Sequence, residues 1–147
     1  MNELELKLLR GMCAIAALRL IDRAEFDFHL MDGKKCKDYI IRLTDYALCN
    51  VSFECSSKRL RIAKKFKEIG LIDLNQHRKG GTWSYKFLSI ELTQKLYDEA
   101  FEAASKREIV RGKGFISLPQ FSRSKEGFLE IDRLGQIAFE SLLEVVA

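Results

Sequence analysis

Residues 56–88 read SSKRLRIAKKFKEIGLIDLNQHRKGGTWSYKFL, and this stretch decides the fold. Ile62, Ala63, Phe66 and Ile69 recur at the spacing of one helix face. Ser57, Lys58, Arg61, Lys64, Lys65 and Glu68 fall on the other side, which is cationic apart from Glu68. Ser56 or Ser57 is placed to cap the first free backbone N–H groups. Gly70 is a natural stop at the other end. Two strand-like runs follow, 71–74 and 83–88, joined by NQHRKGG, a basic tip whose glycines permit positive φ. A cationic helix leading into a charged hairpin suits the groove and flanking backbone of a nucleic-acid duplex.

The charge distribution supports that reading. The chain has 147 residues, 47% apolar and 31% charged, which is ordinary globular composition and enough length for one domain with its own core. Its net charge of +4 is unevenly spread. Residues 56–81 hold eight Lys/Arg against two acids, for +6, and residues 106–125 hold six against one, for +5. The rest is near neutral or acidic: −1 over 1–55, −2 over 82–105 and −4 over 126–147. Two segregated basic surfaces imply an anionic partner, the alternative being solvated charged faces. The second comprises Arg107, Arg111, Lys113, Arg123 and Lys125, interleaved with Phe115 and Phe121.

Outside 56–88 the periodicity is mainly helical. Residues 3–23 carry a broad apolar stripe through Leu4, Leu8, Met12, Ile15 and Ala16, and residues 91–107 carry one through Leu92, Leu96, Tyr97, Ala100 and Phe101. A helix over 37–48 and a last one over 133–146, capped by Asp132, complete the set. Alternation at Phe26, Phe28 and Leu30 suggests a strand-like connector with His29 at the surface, ending in an Asp-Gly turn. Residues 115–118 and 128–131 are further strand candidates around the single proline, Pro119. The fold class is thus mainly α with a small β-hairpin (α+β). The first and last helices can either form a homodimer or pack on each other within one chain.

The order helix, helix, loop, basic helix, hairpin resembles the winged helix-turn-helix, with additional N- and C-terminal helices. The clearest match is RLRIAKKFKEIGLI at 59–72, which is similar to the recognition helix and first wing strand of bacterial regulators such as the MarR family. The resemblance covers about a third of the chain, residues 39–89, within a winged-helix core at about 37–89. It departs in a loop of about six residues before the basic helix, longer than a tight helix-turn-helix turn, and in C-terminal segments that match no one regulator family. It implies binding of double-stranded DNA, as in a transcriptional regulator. Ser57, Lys58, Arg61, Lys64 and Lys65 would meet the groove and its phosphates, and Arg78 and Lys79 the backbone or the adjacent minor groove. Arg61 is the first choice for a base edge, since a guanidinium pairs bidentately with guanine. About five phosphate contacts imply a log–log salt slope of about −4 to −5. Trp83 and Tyr85 either stack on bases or pack the hairpin onto the core.

Two other functions fit the same residues. One is an adaptor subunit of a nucleoprotein complex for replication, transfer or defence, and the other a protein-contact inhibitor of such a machine. An enzyme is not expected, because the chain has no Gly-rich phosphate loop, no Ser/His/Asp context and no metal-ligand spacing among its two histidines and four cysteines. No cofactor or metal is expected either. Cys49 and Cys55 flank the loop before the basic helix, where a redox switch is an alternative to reduced thiols. The longest uncharged apolar run, 12–18, is too short to span a membrane, and no cleavable signal pattern leads the sequence, so a soluble cytoplasmic protein is expected.

Overall fold

The computed structural model describes residues 1–37, 40–44, 48, 55–76, 78–87, 89–107, 121 and 124–146. Helix α1 spans Glu3–His29. The Asn2 side chain caps it: Oδ1 accepts the Glu5 N–H at 2.8 Å while Nδ2 donates to Glu5 Oε1 at 2.8 Å. The helix runs through 25–29, where the alternation predicts a strand. Contacts at helical spacing, the Arg23–Asp27 ion pair at 3.1 Å and Glu25 beside His29 Nε2 at 3.1 Å, favour the helix over the strand. Phe28 packs edge-on to Phe101, whereas Phe26 is half-buried beneath the Arg23 guanidinium of its own helix. His29 is correspondingly enclosed, its side chain only 14% exposed. The Asp-Gly pair does form the turn, and the Gly33 N–H donates to the carbonyls of Asp27 and Phe28.

Strand β1, Arg42–Thr44, lies inside the stretch predicted as a second helix. Leu43 is buried between two exposed neighbours, and pairing with a later strand outweighs the helical spacing. Positions 38, 39 and 45–47 of that expectation lie outside the described residues. Helix α2 spans Ser56–Glu68. Its N-cap position is Cys55, whose carbonyl accepts the N–H groups of Lys58 and Arg59, and neither Ser56 nor Ser57 occupies the cap. Gly70 ends the helix at φ +83°, a conformation that a side chain would strain, and the Leu71 N–H closes back onto the Phe66 carbonyl.

Strands β2 (Ile72–Gln76) and β3 (Trp83–Phe87) form the hairpin. The antiparallel sheet has the order β1-β3-β2, with Leu43, Tyr85 and Leu74 in one cross-strand row. Helix α3 (Ile90–Ser105) starts at Ser89, whose hydroxyl accepts the Leu92 N–H at 3.1 Å. Helix α4 covers Lys125–Val146. It therefore absorbs 128–131, predicted as a strand, and Asp132, predicted as a cap. Ser124 takes that role, its Oγ accepting the Gly127 N–H at 3.0 Å. Residues 115–118 lie outside the described residues.

One apolar cluster joins all seven of these elements. On the sheet it includes Leu43, Ile72, Tyr85 and Phe87, met by Phe66 of α2, and α1 packs against both α4 and α3. A Cβ added at Gly135 would lie 3.6 Å from Ala14 Cα, so α4 crosses α1 closely there. The stripes of the first and last helices pack against each other within the chain.

Candidate nucleic-acid interface

At about 100° per residue, the buried residues of α2, Arg59, Ile62, Ala63 and Phe66, centre on one side of the helix. The opposite pole is Ser57, Arg61, Lys64 and Glu68, all exposed. The flanks are braced. Lys65 Nζ sits 2.8 Å from Oε1 of Glu5, a carboxylate that is only 4% exposed, and so ties α2 to the start of α1. Lys67 Nζ lies 3.9 Å from Asp73 on β2. Lys58 is half-buried and engaged within the fold. Lys64 sits with its Nζ 5.9 Å from the Trp83 ring centroid, which brings the outward pole of the helix beside the hairpin.

The hairpin tip is held tightly. Gly80 has φ +78°, Gly81 N–H donates to the Arg78 carbonyl at 2.9 Å, and Gln76 Nε2 donates to the Gly81 carbonyl at 2.7 Å. A Cβ on Gly81 would fall 2.9 Å from Arg78 Cγ, so glycine is required for this closure. Arg78 and Lys79 project from the tip, exposed. Neither they nor Arg61 have an ion-pair partner among the described residues. Tyr85 is 1% exposed and packs the hairpin onto the core, whereas Trp83 is only half-buried.

The second basic group is not assembled as a surface among the described residues. Arg107 is turned inward: its guanidinium meets the Glu25 carboxylate, which is 1% exposed, and lies 3.8 Å from the Phe121 ring centroid. Lys125 is exposed at the start of α4, and Arg111, Lys113 and Arg123 lie outside the described residues. Beside Arg107 runs a second buried bond. Tyr97 Oη donates to Asp27 at 2.5 Å and accepts the Cys36 N–H at 2.9 Å. Burial, with Asp27 next, raises the Tyr97 phenol well above its ordinary range.

No protein-family model, curated protein or solved structure matches the chain. The site therefore rests on its own geometry. Among the described residues no helix is long and apolar enough to cross a membrane.

The bracing revises the salt dependence. With Lys65 and Lys67 beside carboxylates, Arg61, Lys64, Arg78 and Lys79 remain as exposed cations without an ion-pair partner among the described residues. With Arg61 on a base edge, phosphate contacts by Lys64, Arg78 and Lys79 would give a slope of about −2.7 rather than −4 to −5. Lys64→Gln is expected to reduce that slope by about 0.9. Lys65→Gln should leave it unchanged while lowering unfolding free energy by about 1 kcal/mol, because the buried Glu5 loses a charged partner. Duplex titrations at several salt concentrations, with urea unfolding of both variants, check the pair.

The thiols differ sharply. Burial pushes Cys13 up to about 12, whereas the backbone N–H of Lys58 at the start of α2 holds the exposed Cys55 below its ordinary 9.0. The thiolate fraction of Cys55 therefore rises at lower pH than for a free thiol. Alkylation of the native protein should label Cys55 with a midpoint below pH 9.0 and spare Cys13. Cys49 lies outside the described residues, as does any pairing of it with Cys55.

Proposed function

We propose that the protein binds double-stranded DNA, with α2 in the major groove and the β2–β3 hairpin as a wing on the adjacent backbone. The observation that carries this is the joining, on one side, of two cationic features without an ion-pair partner among the described residues. Arg61 and Lys64 point away from the core, Lys64 meets Trp83, and the same hairpin ends in Arg78 and Lys79. The order helix, β1, basic helix, β2, β3, with β3 between the other two strands, supports a winged helix-turn-helix. In this reading Arg61 contacts a base edge, and Lys64, Arg78 and Lys79 contact phosphates. Ser57, in the first turn of α2, donates to a phosphate or base at the leading end of the helix. Sequence-specific readout of this kind is the activity of a transcriptional regulator.

Selection of bound sequences from a random duplex pool tests the reading. The wild type should enrich a motif, and Arg61→Ala should relax it at one position at a cost of about 1–3 kcal/mol. Enrichment without any motif would instead favour an adaptor that holds duplex through phosphates alone. Failure to retain duplex at low salt would leave protein contacts as the function.

A further inference from the structure

The outer face of the sheet carries a second cationic feature, separate from α2. Strand register places Arg42, Lys86 and Asp73 in one row across β1, β3 and β2, and Thr44, Ser84 and Asn75 in the next. Leu43 and Tyr85, which alternate with them, are buried in the core, so these two rows lie on the opposite face. A depression of about 150 Å³ opens there, lined by Arg42, Asp73, Leu74, Asn75, Ser84 and Lys86.

Like charges directly opposite each other destabilise a sheet. Arg42 and Lys86 are such a pair, and neither has a carboxylate within ion-pair distance among the described residues. Asp73, on the other side of Lys86, is already engaged: its Oδ1 accepts the Leu74 N–H at 2.9 Å and lies 3.9 Å from Lys67 Nζ. A third cation approaches on β1, where Arg19 Nη1 donates to the Arg42 carbonyl at 2.6 Å. The Ser84 hydroxyl donates to the Asn75 main-chain carbonyl at 3.2 Å, and Asn75 is exposed and lines the same depression.

We propose that this depression binds a phosphate group, held between Arg42 and Lys86 with Asn75 beside them. A guanidinium fork and an ammonium on adjacent strands can share one phosphate and relieve the repulsion between them. The phosphate comes either from a nucleic-acid backbone or from a free phosphate compound, and the site does not depend on α2 binding DNA.

Isotope-labelled full-length chain titrated with inorganic phosphate at constant ionic strength tests this by amide NMR. Saturable shifts are expected at Arg42, Asn75, Ser84 and Lys86. In the double variant Arg42→Gln/Lys86→Gln the affinity should fall at least about tenfold, with the rest of the spectrum unchanged. Arg61→Ala should leave the phosphate titration intact, which separates this site from the α2 interface. Absence of saturable shifts at those amides, or equal shifts in the double variant, overturns the proposal. A duplex arm identifies the source. A salt slope shallower by about 0.9 in the double variant assigns the phosphate to nucleic acid, and unchanged duplex binding with lost phosphate binding assigns it to a free compound.

Discussion

Arg107→Ala is expected to lower the free energy of unfolding by about 3 kcal/mol, because it strands a buried carboxylate. Glu25 is 1% exposed, and its partners are the Arg107 guanidinium and His29 Nε2 at 3.1 Å. The histidine contact becomes a hydrogen bond only with the proton on Nε2. At neutral pH, Arg107 is therefore the partner whose charge is assured. The same substitution also removes the cation from the Phe121 ring, loosening the chain where it passes from α3 towards α4. In a chain of this length the melting temperature should drop by about 10 °C. Urea unfolding should show a lower midpoint with the slope unchanged. Replacing both partners, Glu25→Leu with Arg107→Met, should recover much of the loss, since no buried charge is then left alone. An Arg107→Ala midpoint within error of wild type would return Arg107 to the solvent-facing basic group in which the charge count placed it.

The second large effect concerns binding. The triple variant Arg61→Ala/Arg78→Ala/Lys79→Ala should lose about a hundredfold or more in duplex affinity near physiological salt, with the slope shallower by about 1.8 because two phosphate contacts are lost. Its fold should hold, because all three side chains are exposed and without an ion-pair partner among the described residues. Unfolding curves overlaying those of wild type would confirm that the loss lies at the surface. Equal affinity in the triple variant would move the interface elsewhere on the molecule.

How much of this was legible in the sequence varies along the chain. The apolar spacing of Ile62, Ala63 and Phe66 located the buried side of α2, and Gly70 located its end. The same spacing, extended back to Arg59, marks that residue as core-facing, and it is 5% exposed. Arg59 entered the charge count alone, and its place one turn before 62 and 63 puts it on the apolar side. Local pattern failed where distant partners decide. Residues 42–44 form a strand because β3 is there to pair with, and their neighbours in sequence do not announce it. Phe26 and Phe28 mimic a strand because two aromatics stand two apart, yet Phe28 packs on Phe101 while Phe26 lies against Arg23, one turn back on the same helix. Phe128 and Leu129 mimic one for a different reason: both are more than 60% exposed on α4, where hydrophobicity does not report burial.

At the site, the sequence supplied the charges and the structure sorted them. Lys65 and Lys64 are neighbours with the same chemistry, yet one braces α2 to Glu5 and the other meets Trp83. That division depends on Glu5, 60 residues away in sequence. No periodicity within 56–88 carries it. The cross-strand pair Arg42 and Lys86 was equally hidden, since its existence depends on strand register.

The central claim is that the outward pole of α2 and the wing together bind duplex DNA. Trp83 is the chain's only tryptophan and lies between them, so its fluorescence reports directly on that junction. Titrating wild-type protein with duplex at salt from about 50 to 200 mM should give a saturable change in Trp83 emission, with a log–log slope of about −2.7. No change in emission, or an affinity that barely depends on salt, would contradict the claim.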